Sequence, residues 1–494
     1  MTLRDVADRP PATRPVRAGA RRSRRRPREP ENTPAHIRVL AAAFAILVVA
    51  LVVLVSVEVR RERTGLRVIG YETAPVVIAS TDLYFALNDM DAQLANVLLV
   101  GRETDLGFTR SQALDIYHQR RQQVSQDLQR AAAAADADSA AAASIRDILD
   151  ALGDYEELAA QMLLLDQQNP HAAGQPSATT LALYRQATDL LKARLLPPAQ
   201  HLTDRNAAIL ESTYETQRGH ALIARDLVAG LGLVILAAAI VLQVYLARRF
   251  HRWVNPAVGL AALIAIALAT AGVVLTTNGA EYFRAAKKDA FDSILALDSA
   301  RAVSYDANAD ESRYLVDPQR ADQYEKAFLT KTLQLVNLRG ATLATFDQRL
   351  DTALQGYRKD NQDVEWYGYY GTEFRNITFT GERAAAELTL KRYQVYQVDD
   401  RKIRRLATTG HLRESIAFCT SYNPGDSNWA FDQYDKALAA LIGINQNAFN
   451  RSIRNGEHAL DGWTVIPAVA GLAILGLLLL GLRGRFAEYH LAAR

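Results

Sequence analysis

Four apolar runs constrain this chain more than any other feature: Val39–Val57, Leu227–Ala247, Ala257–Thr277 and Trp463–Leu482 are free of ionised side chains. About twenty apolar residues are needed to cross the hydrocarbon layer as a helix, and a soluble protein rarely contains four such runs. The expectation is four transmembrane helices over 39–57, 227–247, 257–277 and 463–482. No small-residue cleavage pattern follows the first run, which reads as an uncleaved anchor.

Arg and Lys are held on the cytoplasmic side during insertion. Arg21, Arg22, Arg24, Arg25, Arg26 and Arg28 precede the first run, Arg248, Arg249 and Arg252 occupy the hairpin 248–256, and Arg483 and Arg485 lie in the tail 483–494. All three clusters place both termini in the cytoplasm. Arg60, Arg61, Arg63 and Arg67 dissent but are outnumbered. Segments 58–226 and 278–462 are therefore expected outside the cell. The tail 1–38 carries eleven Arg against four acidic residues, so it alone exceeds the net charge of +3 of the whole chain. Rich in Arg and Pro, it is expected to be disordered and to rest on anionic lipid rather than on nucleic acid. The single cysteine, Cys419, can form no intrachain disulfide and is expected to be a small buried residue.

Both outer segments read as helical bundles, so the fold class is all-α. In the first, Leu83, Leu87, Met90, Leu94, Val97 and Leu98 recur at three- and four-residue steps until Gly101. A second helix follows from Ser111 through the Ala131–Ala135 run, a third ends at Asn169-Pro170, and a fourth starts near Ser177. This last helix meets Pro197-Pro198, where missing amide donors predict a kink. The second segment repeats the plan, with one helix before Asp317-Pro318, a middle stretch through Phe328 and Leu354, and a last helix running into the fourth span. Leu98-Leu99-Val100-Gly101 and Tyr314-Leu315-Val316-Asp317 occupy equivalent places, which suggests duplication. Between Lys359 and Glu382 the chain is aromatic, β-branched and punctuated by Gly, which predicts a short hairpin or ordered loop.

No zinc-protease, phosphate-loop, nucleophile-elbow or dinucleotide motif is present, and the nine histidines lack metal-ligand spacing. No catalytic residue, metal or cofactor is expected, because the cytoplasmic pieces are too short for an active site. Candidate ligand-binding residues are Tyr84, Asn88 and Asp91 on one helical stripe and Asp306, Asp310 and Tyr314 on its counterpart. The competing reading makes them solvated edge residues, with Asp82 and Asp89 on the outer face in its favour. The insert's Trp366, Tyr367, Tyr369, Tyr370, Phe374, Arg375 and Asn376 either pack on their own bundle or bind a partner. Pro197, Pro198, Arg248, Arg249 and Arg252 are the candidate relay points between outside and inside.

Four stretches carry a family resemblance: Tyr84–Gly101, Tyr184–Leu202 with Leu195-Leu196-Pro197-Pro198-Ala199, Gln243–Arg249 through Asn255-Pro256, and Gly371–Glu387 around Asn376-Ile377-Thr378-Phe379-Thr380-Gly381-Glu382-Arg383. In these the chain resembles the GlnX-like actinobacterial membrane proteins of the glutamate-sensing operon. Thr380 departs from the proline that relatives often carry. The resemblance implies a tandem extracytoplasmic sensor that passes an amino-acid signal, through a solute-binding lipoprotein, to a soluble serine/threonine kinase. An envelope scaffold or assembly factor, docking partners without a small-molecule response, is the alternative. A transporter is disfavoured by spans without charged residues.

Overall fold

A computed structural model describes residues 33–135, 139–250 and 255–492. The first 32 residues and Arg252 lie outside the described residues, and with them most of the Arg-rich tail and one of the relay candidates. In chain order the helices are α1 (Thr33–Arg67), α2 (Ala74–Val100), α3 (Arg110–Ala134), α4 (Ala140–Gln168), α5 (Ala178–Leu190) and α6 (Leu196–Phe250). The second half contains α7 (Pro256–Arg284), α8 (Asp292–Val316), α9 (Ala321–Leu335), α10 (Phe346–Gly356), α11 (Tyr369–Asn376), α12 (Glu382–Thr408), α13 (Leu412–Thr420), α14 (Ser427–Ala459) and α15 (Ile466–Ala492). No strand occurs among the described residues. In the aromatic insert the expected hairpin reduces to one antiparallel bridge, Asn337 to Tyr367, followed by α11. The middle stretch of the second lobe divides into α9 and α10, with a loop between them.

Local chemistry sets several boundaries. Thr109 and Gln112 form a reciprocal capping box at α3, while Ser139 and Ser177 cap α4 and α5 through their hydroxyls. Gly101 ends α2 at φ +59°, where a Cβ would lie 2.6 Å from the His171 carbonyl, so only glycine fits. Val316 ends α8 at the equivalent place, with Asp317 as its cap.

Four helices are long and apolar enough to cross a membrane. Phe44, Val48, Leu51, Ile235, Leu242, Ala265, Ile474 and Leu478 turn inward to a shared core, while Ile46, Val53, Leu233, Leu263, Leu472 and Leu479 face outward. Small residues allow close approach: a Cβ on Gly232 would meet Ala269 at 2.9 Å, and one on Gly471 would meet Val52 at 2.8 Å.

Three spans continue into the lobes without a break. α1 runs into α2 through a π-helical segment, Val68–Thr73; α5 runs into α6 through Leu191–Leu195; and α7 runs into α8 through Ala285–Phe291. The second segment explains how the paired prolines are absorbed. Pro197 and Pro198 cannot donate to the carbonyls of Ala193 and Arg194, and both carbonyls lie in that segment, so the helix widens by a π-turn instead of ending. In the third, the Asn376 amide donates to the carbonyls of Lys288 (2.8 Å) and Asp289 (3.1 Å). The fourth span differs from the expectation. α14 stops at Ala459, and a run of turns with Gly462 at φ +79° separates it from α15.

The two helical lobes that the spans carry are not separate bundles. α2 and α8, equivalent helices of the two halves, lie against each other along their length. Every residue from Phe85 to Val100 is buried, so α2 is enclosed by both lobes on all faces. The core of the first lobe accordingly takes in Leu315, Val316, Ile403, Ile416, Phe418 and the buried Cys419 from the second.

Candidate functional site

The seam between α2 and α8 gathers half of the sequence-predicted ligand residues around an arginine the sequence reading passed over. Arg313 is fully buried. Its Nη2 donates to Asp91 Oδ2 at 2.8 Å across the seam, and its Nη1 donates to Asp310 Oδ1 at 2.6 Å and Asp306 Oδ1 at 3.1 Å on its own helix. Lys331 from α9 closes the far side, with Nζ 2.6 Å from Asp306 Oδ2 and 2.5 Å from Asp310 Oδ2. Lys192, in the π segment before α6, lies 3.7 Å from Asp310 Oδ1. Three carboxylates thus face three cations.

Asp91 accepts from Tyr155 at 3.2 Å, Tyr184 at 3.3 Å and Thr188 at 3.0 Å, in addition to Arg313. A buried carboxylate is tolerable only with its lone pairs occupied, and this one is supplied by four donors from α4, α5 and α8. Burial acts against ionisation of Asp306, but Lys331 and Arg313 outweigh it and hold the carboxyl below its ordinary range. Burial, followed by repulsion from Arg313, brings Lys192 down to about 8 despite the pull of Asp310. Burial and the Asp91 charge keep the Tyr155 and Tyr184 phenols protonated, so they can only donate to it.

The remaining candidates fall elsewhere. Tyr84 is half-buried and lies near Asp306 without joining the network; its carbonyl accepts from Asn88 Nδ2 at 3.0 Å. Asn88 is buried with Oδ1 unpartnered. Tyr314 does not join the network; it packs against the core that the lobes share, its ring 4.6 Å beneath the Arg404 guanidinium. The solvated-edge reading fails for Asn88, Asp89, Asp91, Asp306 and Asp310, all buried in the seam. Asp89 is bound by Arg120 at 2.5 Å and Gln93 at 2.7 Å. Its outward position on the isolated helix becomes an inward one once α3 of the same lobe packs against α2.

The aromatic insert packs on its own lobe. Trp366, Tyr370 and Phe374 are fully buried, Tyr370 shares a 2.9 Å hydrogen bond with Tyr434, and Trp366 stacks edgewise on Phe374 with ring centres 5.0 Å apart. Arg375 donates to the Trp366 carbonyl at 2.6 Å and lies over the Tyr367 ring, which is 67% exposed; Tyr369 is half-buried. Only Tyr367 and Arg375 of the seven remain for a partner.

At the end of the spans away from the lobes a second polar lock was missed by sequence reasoning. Gln243 on α6 exchanges hydrogen bonds with the Asn255 backbone at 3.0 and 3.2 Å, and Asn255 Nδ2 donates to the Gly481 carbonyl of α15 at 2.8 Å. Spans two, three and four are joined there. Arg248 is exposed beside this lock, and Arg249 lies in the last turn of α6.

Further contacts extend the seam toward both ends: Arg413 to Glu103 and Asp105, Ser312 to Asn96 at 2.7 Å, Phe85 against Tyr305, and Lys287 and Lys288 to Glu211 near the membrane. No curated protein and no solved structure matches the chain. Residues 65–215 match the model of one family, described as an actinobacterial sensor domain, and the matched segment runs from within α1 to within α6. The chain is thus a multi-pass membrane protein whose first lobe matches an actinobacterial sensor domain.

Proposed function

We propose that the protein is a transmembrane signal relay rather than an enzyme, with both lobes outside the cell and both termini inside. The observation that carries this reading is the continuity of the seam with the spans. Asp91, inside the segment that matches the sensor domain, is tied through Arg313 to α8, and both α2 and α8 run as unbroken helices into spans one and three. A rigid-body shift of one lobe against the other reaches the membrane along these helices. A signal moves the equilibrium only by as much as it binds one arrangement more tightly than the other. The network supplies a discrete contact set that holds one arrangement.

The signal in this reading is an amino acid, received directly or through a solute-binding protein, and the output is contact with a cytoplasmic partner such as a serine/threonine kinase. The family resemblance and the sensor-domain match support this assignment. The short cytoplasmic hairpin beside the Gln243–Asn255 lock is the docking point for that partner. To test it, the full chain in nanodiscs is titrated with an amino-acid panel, with and without candidate solute-binding proteins, while thermal stability and binding are recorded. Amino-acid-dependent binding to the outer lobes supports the relay. Partner binding that no small molecule alters would favour a scaffold.

A further inference from the structure

The helices of the first lobe do not close on one another evenly. α3 lies along α2, and α4 lies along α5 and α6, but α3 and α4 touch little. The sequence accounts for the gap: α3 ends in the run Ala131–Ala134 and α4 opens with Ala140–Ala143, side chains too short to bridge two helices. What remains is a groove of about 550 Å³, within the roughly 300–1,000 Å³ of small-molecule sites. Leu128 and Ile145, both buried, line it together with half-buried Leu152 and with Leu149, which is 51% exposed. A contiguous apolar wall open to water marks a binding surface rather than a core.

An ion pair closes one end. Arg121 of α3 donates to Glu156 of α4, from Nε to Oε1 at 2.6 Å and from Nη2 to Oε2 at 3.0 Å, so the fork bridges the groove. His118 aside, these two are the ionisable side chains that line it. The pair determines what the groove accepts. An anion would take Arg121 and leave Glu156 facing a second negative group, and a cation would take Glu156 and leave Arg121 in the same position. A zwitterion replaces both partners at once, its carboxylate accepting from the Arg121 fork and its ammonium donating to Glu156. Opening the pair costs little, because both side chains are partly exposed. The apolar wall begins one turn from Glu156, at Leu152, and continues through Leu149 to Ile145, so the remainder of the ligand is apolar and bulky. From this geometry we propose that the α3–α4 groove binds a zwitterion with a bulky apolar group, the class to which leucine and phenylalanine belong.

The assignment deepens the relay reading and rests on it for the consequence of binding. The groove lies within the segment that matches the sensor domain. Tyr155, the neighbour of Glu156 on α4, donates to Asp91 at 3.2 Å, and Asp91 is the carboxylate that Arg313 reaches across the seam. A ligand that parts the Arg121–Glu156 fork shifts α4 against α3 and acts on that contact.

The test uses the full chain in phosphatidylcholine nanodiscs, with binding by isothermal calorimetry and thermal unfolding in parallel. Expected are saturable binding of leucine and phenylalanine with a rise in Tm. Affinity should be lower by about tenfold or more for 4-methylpentanoate and isoamylamine, which each lack one charge, and for glycine, which lacks the apolar group. Arg121→Gln, Glu156→Gln and Leu149→Asn alter partly exposed side chains, so the ligand-free Tm should stay near that of the wild type while leucine binding falls by roughly tenfold. The site is overturned if leucine and phenylalanine do not bind, if the three variants bind them as the wild type does, or if either singly charged analogue binds as well as leucine. Leucine binding that is lost in the variants, yet leaves cross-links between α2 and α8 unchanged, supports the site and contradicts the relay, so the two readings fail separately.

Discussion

The two lobes meet the membrane differently. The first is continuous with its spans at both ends, through α1–α2 and α5–α6, whereas the second is continuous only through α7–α8 and is cut from the fourth span at residues 460–465. In the proposed relay, a displacement of the first lobe is passed on by these two helices. In the second lobe α14 can tilt without dragging α15, because the turn at Gly462 absorbs the change. In the proposed relay, motion enters the membrane through three helices, and the fourth is a reference held to the others by Asn255 at the end away from the lobes.

The largest expected effect comes from removing the arginine that joins the lobes. Arg313→Met leaves three buried carboxylates short of a partner and should cost about 3–5 kcal/mol, read as a lower Tm and proteolytic cleavage along α2. Trp366→Ala, which empties the core beneath the insert, should cost a similar 3–5 kcal/mol but leave the seam intact, so that cross-links between α2 and α8 still form. Equal loosening of the seam by both variants would break the distinction between lobes. Asp306 supplies a pH test. Its depressed carboxyl contributes stability that is complete above the ordinary carboxylate range and is lost as pH falls through its folded value. Acid should thus loosen the Asp306–Arg313–Lys331 cluster of the second lobe before it melts the spans. Replacing two residues by glycine in the helix interior above span one should cost about 1 kcal/mol each and uncouple the first lobe, while the same change beside Gly462 should alter little. Smallest is Arg320→Ala, which removes an exposed pair with Asp189 across the lobes and should shift stability by less than about 1 kcal/mol.

Much of the architecture was legible because periodicity and length report directly on helices. The four spans, the stops at Gly101, Asn169 and Asp317 and the start at Ser177 all follow from local chemistry. At the site, Asp91, Asp306 and Asp310 stood out as charges on otherwise apolar stripes. Arg313 carried a signal that could have been used, since it lies three residues after Asp310 on the same face. Lys192 and Lys331 had none, because their role exists only after separate helices converge. Tyr314 stays out of the network for a related reason: its ring is taken by Arg404 from α12, a contact that exists only after the helices converge. The break before span four was written in Leu460-Asp461-Gly462, but the apolar run after it concealed the turn. The direction in which the insert's aromatic rings face was not legible, since burial and partner binding need the same residues.

The central claim is that the seam and the inner ends of the spans move together. Ala247→Cys on α6 and Leu480→Cys on α15 place spin labels at the inner ends of a continuous span and of the interrupted one, with buried Cys419 replaced by serine. Their separation is measured by pulsed electron paramagnetic resonance in nanodiscs, before and after Arg313→Met. The account predicts a changed inner distance once the seam is cut. An unchanged inner distance, with the outer lobes demonstrably displaced, would contradict it.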